Sequence, residues 1–472
     1  MQRARGGLDE TRPVWRTLLA FLIPMMLTNV LQSANGTINS IFLGRMIGVH
    51  ALAAASAFFP VLFLIFAFFI GLSSGASVLI GQAHGARNDE RLREVAGTTL
   101  MAALVLSVIL GLAGWFSIEP LLRVLRTPAD IFHDAASYAR VIFAGLPVML
   151  GFLSYTAFAR GTGDAQTPFW ALVVSTLSSL LVTPALIAGW FGLPHLGILS
   201  AAVAGIVSNI IGWLFILWAM HRKQSSLALT SSLIPHIRIR WQILAMTMRL
   251  GVATGVQVIM VSLAEIAVLS FVNHFGSQAT AAYGAVNQIV SYAQFPAISI
   301  GIAASIFGAQ AIGARRVHRL GEIVRSSVIL NYLVEGGLIA IVYLASPLIL
   351  GLFLTDQPTL RLAHSLLMIT LWSYVIFGNS AVLSGVMRSS GAVLWPTLIG
   401  IMSIWAVEVP VAYTLMHRIG IDGIWIAYPV AYCTGLCFQS LYYFVFWRRR
   451  TIVPLIATSP SPEPAAAAPA SH

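Results

Sequence analysis

Residues 76–94 read ASVLIGQAHGARNDERLRE, and residues 304–322 read ASIFGAQAIGARRVHRLGE. An offset of 228 residues aligns the two stretches, and many of the matched positions are polar. The identical pairs are Ala76/Ala304, Ser77/Ser305, Gln82/Gln310, Ala83/Ala311, Gly85/Gly313, Ala86/Ala314, Arg87/Arg315, Arg91/Arg319, Leu92/Leu320 and Glu94/Glu322. Chance alignment of apolar helices would match Ala and Leu rather than Gln, Arg and Glu, so the chain contains an internal repeat.

The repeat extends beyond these two stretches. Further pairs at the same offset are Gly48/Gly276, Ala51/Ala279, Arg160/Arg388, Gly163/Gly391 and Pro168/Pro396. The matches therefore run from the first loop to the fifth apolar segment of each half, which indicates two equivalent halves.

The composition indicates that most of the chain lies in lipid. Of the 472 residues, 58% are hydrophobic and 9% are charged, which leaves too little polar surface to cover a water-soluble globule. The mean hydropathy is +0.85, and apolar runs of about 20 residues recur, the length that an α-helix needs to cross a bilayer. The predicted spans are 14–35, 52–80, 96–118, 138–158, 169–188, 197–219, 244–271, 281–309, 326–349, 363–386, 396–416 and 424–446. We expect an all-α integral membrane protein of about twelve transmembrane helices in two pseudo-symmetric six-helix bundles.

These spans divide the chain into five parts. They are a cytoplasmic N-terminal segment (1–13), an N-terminal six-helix bundle (14–222), a cytoplasmic linker (223–243), a C-terminal six-helix bundle (244–450) and a disordered cytoplasmic tail (451–472). Because six is an even number, both bundles enter the membrane in the same direction, and an axis along the bilayer normal relates them. A cleft between such bundles can open to one side at a time, which is the geometry of alternating access.

The distribution of positive charge predicts the orientation. With a cytoplasmic N-terminus, about 21 Arg and Lys residues lie in inside loops and about 6 lie outside, as the positive-inside rule requires. The formal net charge of +11 does not indicate nucleic-acid binding, because the basic residues are spread through the loops. We expect a multi-pass protein of a bacterial inner membrane with both termini in the cytoplasm, and a first apolar segment that is retained as a span.

Several short motifs occur in each half, and the two that begin at Arg160 and Arg388 lie at the repeat offset. The N-terminal half has FLIPMMLTN at 21–29 and RGTGDAQTP at 160–168, and the C-terminal half has RSSGAVLWP at 388–396 and GIDGIWIAYPV at 420–430. Together with the duplicated stretches, they make the chain resemble the multidrug and toxic compound extrusion (MATE) family over nearly the whole membrane region. The resemblance implies a V-shaped pair of bundles. It also implies an antiporter that exports amphipathic, often cationic, compounds while H⁺ or Na⁺ runs inward, with no cofactor beyond that coupling ion.

The chain departs from the family pattern at acidic positions. The family often places an Asp in helix one and an Asn with an Asp in helix five, whereas this chain has Asn39, Ser179 and Thr183 at the matching positions. In helix ten, where many sodium-driven relatives supply an acid, the nearest polar residues here are Asn379 and Ser380. The resemblance therefore leaves open whether the N-terminal half takes part in coupling.

Glu265 is the candidate ion-coupling residue. It lies in IMVSLAEIAVLSF within the seventh predicted span, and it matches the helix-seven acid of the family. An ionised Glu in lipid is costly unless it is neutralised, paired or cation-bound, so its presence suggests a use in coupling. A protonated or hydrogen-bonded core Glu is the alternative. A lone carboxyl can be neutralised by a proton without a full ligand cage, which favours H⁺ over Na⁺ as the coupling ion.

The two other intramembrane acids are predicted to have structural roles. Glu335, beside Gly336 and Gly337, is expected to face a neighbouring helix. Glu408, two residues before Pro410, is expected to make a structural hydrogen bond rather than to bind an ion.

Uncharged polar residues form two further candidate groups. Those predicted to bind the ion or the substrate are Gln257, Tyr283, Asn287, Gln288, Tyr292 and Asn379. Amide and phenol oxygens can ligate a cation, and aromatic faces attract organic cations, although hydrogen bonding between helices is an equal alternative. In helix one, Gln32, Asn35 and Asn39 share one face, which predicts the lining of a cleft, with plain helix packing as the alternative. Pro24 is predicted to kink this helix and to act as a hinge, or to kink it without motion.

Other functional classes lack their motifs. The sequence shows no P-loop, dinucleotide fingerprint, nucleophile constellation or metal-ligand spacing, so we expect neither an enzyme nor an ATP-driven pump, and no metal site. Cys433 and Cys437 are expected to be packing residues. The expected partners are small organic molecules and membrane lipids, with no nucleic acid and no obligate protein partner, and the expected state is a monomer. Two alternatives stay open, a flippase for a lipid-linked precursor from the same broad superfamily and a membrane protein that does not transport.

Overall fold

The computed structural model describes residues 13–190, 195–354 and 356–456. Within these ranges, eleven continuous helices are long and apolar enough to cross a membrane, and a pair of helices bent by 41° forms a twelfth span. We name the spans in chain order as α1 Val14–Ile47, α2 Phe59–Gly85, α3 Asp89–Val124, α4 Ala129–Gly161, α5 Gln166–Ala188, α6 Leu199–Arg222, α7 Trp241–Asn273, α8 Ser277–Gly313, α9 Val317–Leu344, α10 Gln357–Thr370 with Ser373–Ser389, α11 Leu394–Ile419 and α12 Ile421–Trp447. The prediction of an all-α protein with about twelve transmembrane helices is confirmed.

Most spans are longer than their predicted apolar runs because polar residues begin or end them. The helix α3 starts at Asp89, seven residues before the predicted span, and the Asn88 side chain caps it by accepting a hydrogen bond from the backbone N–H of Arg91 at 2.9 Å. The acidic residues in this first turn stabilise the helix, because their negative charges lie at the positive end of the helix dipole. Hydropathy alone does not detect such polar turns.

Proline interrupts two predicted spans. The second span was predicted from residue 52, but a separate helix, Val49–Ala57, precedes α2, and Pro60 lies in the first turn of α2. The ninth span was predicted to residue 349, but α9 ends at Leu344 and Pro347 begins a separate helix, Ser346–Gly351. Proline is favoured in the first turn of a helix, where its missing N–H needs no partner, and both predicted boundaries are corrected accordingly.

The two halves meet through equivalent polar contacts on the side of the molecule where both described chain ends lie, which we call the termini side. The Gln82 side-chain Nε2 donates to the carbonyl oxygen of Ser389 at 2.7 Å, and the Gln310 Nε2 donates to the carbonyl oxygen of Gly161 at 3.2 Å. Gln82 and Gln310, like Gly161 and Ser389, are separated by the repeat offset. The two hydrogen bonds are therefore copies of one contact, related by the approximate two-fold axis.

Close backbone contacts extend this interface. Where α2 packs on α7, a methyl group at Gly75 would overlap the carbonyl oxygen of Thr247. Where α1 packs on α8, the Asn29 Nδ2 donates to Ser299 Oγ at 3.0 Å. All of these contacts lie in the termini-side part of the spans, so that side is closed.

The two ends of the chain extend past the described residues. The N-terminal segment predicted over 1–13 lies outside them except for Pro13, and the predicted tail lies outside them from residue 457 onward. Residues 451–456, which we call the C-terminal strap, pack instead against the N-terminal half. The backbone N–H of Leu455 donates to Gln82 Oε1 at 2.7 Å, and Ile456 is only 9% exposed. The prediction of disorder is corrected for these residues, because Leu455 and Ile456 carry apolar side chains that can be buried.

Replacing Leu455 by proline is expected to lower the thermal unfolding midpoint of the purified protein in detergent. Proline has no N–H to donate to Gln82, and leaving a buried acceptor without its donor costs roughly 1–3 kcal/mol. Val453→Pro is the matched control, because Val453 is 65% exposed in the same strap. Equal midpoints for the two variants would contradict a stabilising strap.

Candidate ion and substrate site

On the termini side, one face each of α1, α7 and α8 packs against the opposite half. Towards the other end of these helices, the same faces are not covered. An α-helix returns to the same face about every 3.6 residues, so Glu265 continues the α7 face of Thr247 and Gln288 continues the α8 face of Ser299. Unlike Thr247 and Ser299, the side chains of Glu265 and Gln288 are exposed, as is that of Gln32 on α1. These faces form the walls of a cleft between the two halves that opens away from the termini side.

Two carboxyl groups come together in the C-terminal half. Trp405 Nε1 donates to the carbonyl oxygen of Met260 at 3.1 Å and holds α11 against α7. About one turn farther along each helix, Glu265 and Glu408 lie close enough to interact electrostatically. Glu408 is 5% exposed and ends a turn of π-helix, Ser403–Glu408, a distortion often found at functional sites. The cleft-facing acid therefore has a buried acidic neighbour, whereas a structural hydrogen bond was predicted for Glu408.

Aromatic side chains from three other spans surround this acid pair. Tyr283 on α8 shares a hydrogen bond of 3.1 Å with Tyr428 on α12, and its ring stacks on Trp425 with centroids 6.1 Å apart. Tyr374 on α10 contacts Tyr432 on α12 with ring centroids at 5.3 Å. All four tyrosines lie within electrostatic range of Glu408. We call Glu265, Glu408, Tyr283, Tyr374, Tyr428 and Tyr432 the acid–tyrosine cluster.

The acid–tyrosine cluster combines two kinds of chemistry. A carboxylate pair can share a proton or hold a cation, because two like charges side by side are unfavourable without a positive partner. Tyrosine rings attract organic cations, and their hydroxyl groups donate or accept hydrogen bonds. Of this cluster, Glu265 and Tyr283 are the members predicted from the sequence. Tyr428 and Tyr432 carry a sequence signal, since they are one turn apart on one face of α12, but nothing in the sequence shows that this face meets α8 and α10.

Two other residues proposed to bind the ion or the substrate make contacts outside this cluster. Gln257 accepts a hydrogen bond from Arg388 Nη2 and lies against Gly400, between α7, α10 and α11. Asn379 is buried and accepts a hydrogen bond from Asn331 Nδ2 at 3.1 Å. Both residues take part in contacts between helices, the alternative that the sequence analysis left open.

The remaining residues proposed on α8 and α1 have different surroundings. Asn287 and Tyr292 are exposed on α8, like Gln288. Pro24 lies within a continuous helix, and the Thr28 hydroxyl donates to its carbonyl oxygen at 2.7 Å. A role for Pro24 as a hinge stays a prediction.

The N-terminal half brings together the three positions that match the Asp of helix one and the Asn and Asp of helix five in the family pattern. Ser179 Oγ donates to Asn39 Oδ1 at 3.3 Å and lies 3.5 Å from Thr183 Oγ1. Asn39 Nδ2 in turn donates to Asn35 Oδ1 at 3.4 Å. These four residues form a neutral hydrogen-bonded group between α1 and α5, so the carboxyl chemistry described above belongs to the C-terminal half.

Metal and thiol chemistry has little support in the described ranges. No group of three or more His, Cys, Asp or Glu residues in residues 13–190, 195–354 and 356–456 is placed to hold a metal ion. Cys433 and Cys437 are free thiols on α12.

Comparison with known proteins identifies the family. The MatE family model matches the chain twice, over residues 24–185 and 253–414, one match in each half. The chain belongs to the MATE family. This MATE chain is 47% identical over 445 residues to the probable multidrug resistance protein YoeA of Bacillus subtilis, with 94% of the chain and 96% of that protein covered. It is 25% identical over 430 residues to YpnP, another probable multidrug resistance protein of Bacillus subtilis, with 91% and 95% covered.

Solved MATE structures share the fold. A multidrug resistance MATE family transporter in an outward-facing conformation superposes with a TM-score of 0.84 at 22% identity, with 92% of this chain and 96% of that chain covered. The resemblance inferred from the sequence motifs is therefore confirmed at the level of family and fold for this MATE protein.

Proposed function

We propose that this MATE protein is a multidrug exporter that moves amphipathic, often cationic, organic compounds out of the cell in exchange for H⁺ or Na⁺. The observation that carries the proposal is the acid–tyrosine cluster, with Glu265 on the cleft wall and Glu408 buried behind it. The names of its relatives, which describe multidrug resistance proteins, support the substrate class.

Transport proceeds by alternating access in this proposal. The halves are closed on the termini side by the Gln82 and Gln310 contacts, while the opposite side of the cleft is uncovered. Rocking of the two bundles about their axis breaks these contacts and exposes the cleft to the other side. By the positive-inside rule, the termini side faces the cytoplasm of a bacterial inner membrane.

Competition at Glu265 couples the two fluxes. In its ionised form Glu265 attracts the organic cation, and the ion that enters from outside neutralises Glu265 and displaces the cation. Thermodynamics requires only that the two ligands compete or favour opposite states. The preference for H⁺ over Na⁺ that follows from a lone carboxyl is weakened by the second acid, because two carboxyl groups and several hydroxyl oxygens are also suitable Na⁺ ligands.

Dye efflux from proteoliposomes tests the function. With the purified native chain, a fluorescent organic cation is expected to leave the vesicles faster when an inward gradient of the coupling ion is imposed, and protein-free vesicles give the background. Imposing a pH gradient and a Na⁺ gradient separately identifies the ion. If neither gradient moves the dye while a labelled lipid-linked sugar analogue crosses the membrane, the exporter is rejected in favour of the flippase.

A further inference from the structure

A second buried acid lies in the C-terminal half, between α9 and α10. Glu335 is 0% exposed, and neither of its carboxyl oxygens has a hydrogen-bond partner among the described residues. Asn331, one turn earlier on α9, is also 0% exposed, and its Oδ1 likewise has no partner there. Three acceptor oxygens are therefore buried together without a donor.

The side chain of Asn331 is held in a fixed orientation. Its Nδ2 donates to the carbonyl oxygen of Val375 at 2.9 Å and to Asn379 Oδ1 at 3.1 Å, both on α10. Both amide hydrogens are used in this way, and Oδ1, which has no donor among the described residues, lies against Gly378 on α10. Exchanging the amide oxygen and nitrogen would place an oxygen against two acceptors, so the hydrogen bonds themselves fix the assignment.

A glycine makes room for these oxygens. A methyl group at Gly378 would lie 2.6 Å from Glu335 Oε2 and would also overlap Asn331 Oδ1. Both oxygens therefore lie against the same point of the α10 backbone, in a notch that any larger residue would fill. Two acceptors in one notch repel each other unless a positive group lies between them.

The charges around the notch do not supply that positive group. Among the described residues, neither carboxyl oxygen of Glu335 is hydrogen-bonded to a cationic side chain. Tyr374, one turn before Gly378, is the titratable residue of α10 closest in sequence to the notch, and α8 carries Tyr283. Both turn into the acid–tyrosine cluster, where they contact Tyr432 and Tyr428.

We propose that Glu335 and Asn331 form a binding site for one hard monovalent cation, H⁺ or Na⁺, in the notch at Gly378. A proton on Glu335 donates a hydrogen bond to Asn331 Oδ1, and a Na⁺ ion is ligated by the carboxyl oxygens and the amide oxygen. The site is separate from the acid–tyrosine cluster, and its occupancy does not depend on the proposed transport.

Unfolding midpoints of the full chain in detergent test this site. If the cation is Na⁺, the thermal midpoint of the native chain rises with NaCl at alkaline pH and does not rise with choline chloride. If it is H⁺, the folded chain holds a proton that the unfolded chain releases, so the midpoint rises as pH falls, whichever salt is present. Because the acid–tyrosine cluster can bind the same ions, the comparison is made in the Glu265→Gln/Glu408→Gln chain. That chain is expected to keep a response, and adding Glu335→Gln is expected to remove it.

A second variant keeps the test valid if Glu335→Gln does not fold. Gly378→Ala fills the notch without changing a titratable group, and it is expected to raise the half-saturating cation concentration by at least about tenfold. In the Glu265→Gln/Glu408→Gln chain, a midpoint that responds to neither ion, or a full response both with Glu335→Gln added and with Gly378→Ala added, overturns the site. Loss of dye efflux with an intact cation response would reject the proposed exporter and leave this site in place.

Discussion

Glu265→Gln is expected to lower gradient-driven dye efflux by about 10- to 100-fold while the protein remains folded. The substitution keeps the size of the side chain and removes its charge, which is the property that coupling requires. Hydrogen bonds to a charged group contribute roughly 1.5–3 kcal/mol, and each 1.4 kcal/mol corresponds to about a tenfold change. Initial rates from proteoliposomes of equal protein content measure the effect.

The variant Glu408→Gln extends this prediction to the second acid. Because Glu408 is buried and interacts with Glu265, its loss is expected to reduce coupled efflux as well, and the double variant is expected to lose less than the product of the two single effects. Glu322→Gln is the control, since Glu322 is half exposed on the termini side and pairs with Arg319 at 3.4 Å. Native rates in Glu265→Gln, or an equal loss in Glu322→Gln, would contradict a coupling role for the cluster.

The positions of the spans could be predicted because they depend on local physics. Apolar runs long enough to cross a membrane predict helices wherever they occur. Because of the repeat, the spans of one half also predict those of the other half. The errors lie at ends with polar turns, as at Asp89, and at prolines, as at Pro60, where hydropathy is uninformative. The approximate location of Glu265 could be predicted for the same reason, since a Glu within a long apolar run is conspicuous.

The acid–tyrosine cluster could be predicted only in part because it depends on tertiary packing. Helical spacing shows that Tyr428 and Tyr432 share a face, but the partner of that face is decided by how α8, α10 and α12 pack. Glu335 illustrates the same limit. Its neighbours Gly336 and Gly337 predict a contact with a neighbouring helix, and Glu335 does lie against α10, but nothing in the sequence shows that Gly378 is the residue it meets.

The two repeated halves share their packing contacts but not their acidic residues. The Gln82 and Gln310 contacts are equivalent, yet the residue at the repeat offset from Glu265 is Thr37, and the one at the offset from Glu335 is Ser107. The N-terminal half therefore has the shape of the C-terminal half without these acids. A substitution in the shared scaffold is expected to change transport equally in either half. A substitution of an acid is expected to change transport only when it is made in the C-terminal half.

Gly85→Leu and Gly313→Leu are expected to slow efflux by similar factors, about tenfold or more. A methyl group at Gly85 would overlap the carbonyl oxygen of Gln310, and one at Gly313 would overlap that of Gln82. Overpacking costs roughly 1–3 kcal/mol, and here it acts only on the state in which the termini side is closed. That state is then depopulated by about 10- to 100-fold relative to the open one.

Cysteine labelling measures this shift directly. In a chain with Cys433 and Cys437 replaced by Ser, Ile306→Cys places a thiol beside the closed contact, because the carbonyl oxygen of Ile306 lies against Gly81 and the residue is 1% exposed. A membrane-impermeant maleimide applied from the termini side is expected to label this thiol faster in both leucine variants. Gly336→Leu is the matched control, because no atom lies within 4 Å of the added side-chain position.

Similar labelling rates in the two leucine variants follow from the approximate two-fold axis, because each substitution opens the same contact from the opposite half. If the leucine chains do not fold, Gly85→Ala and Gly313→Ala provide the same comparison with a smaller overlap. Unchanged labelling, or a large difference between the two glycines, would show that the contact does not close the termini side. Equal effects at Gly85 and Gly313, together with an effect of Glu265→Gln that has no counterpart at Thr37, would show that a symmetric gate controls access to chemistry confined to the C-terminal half.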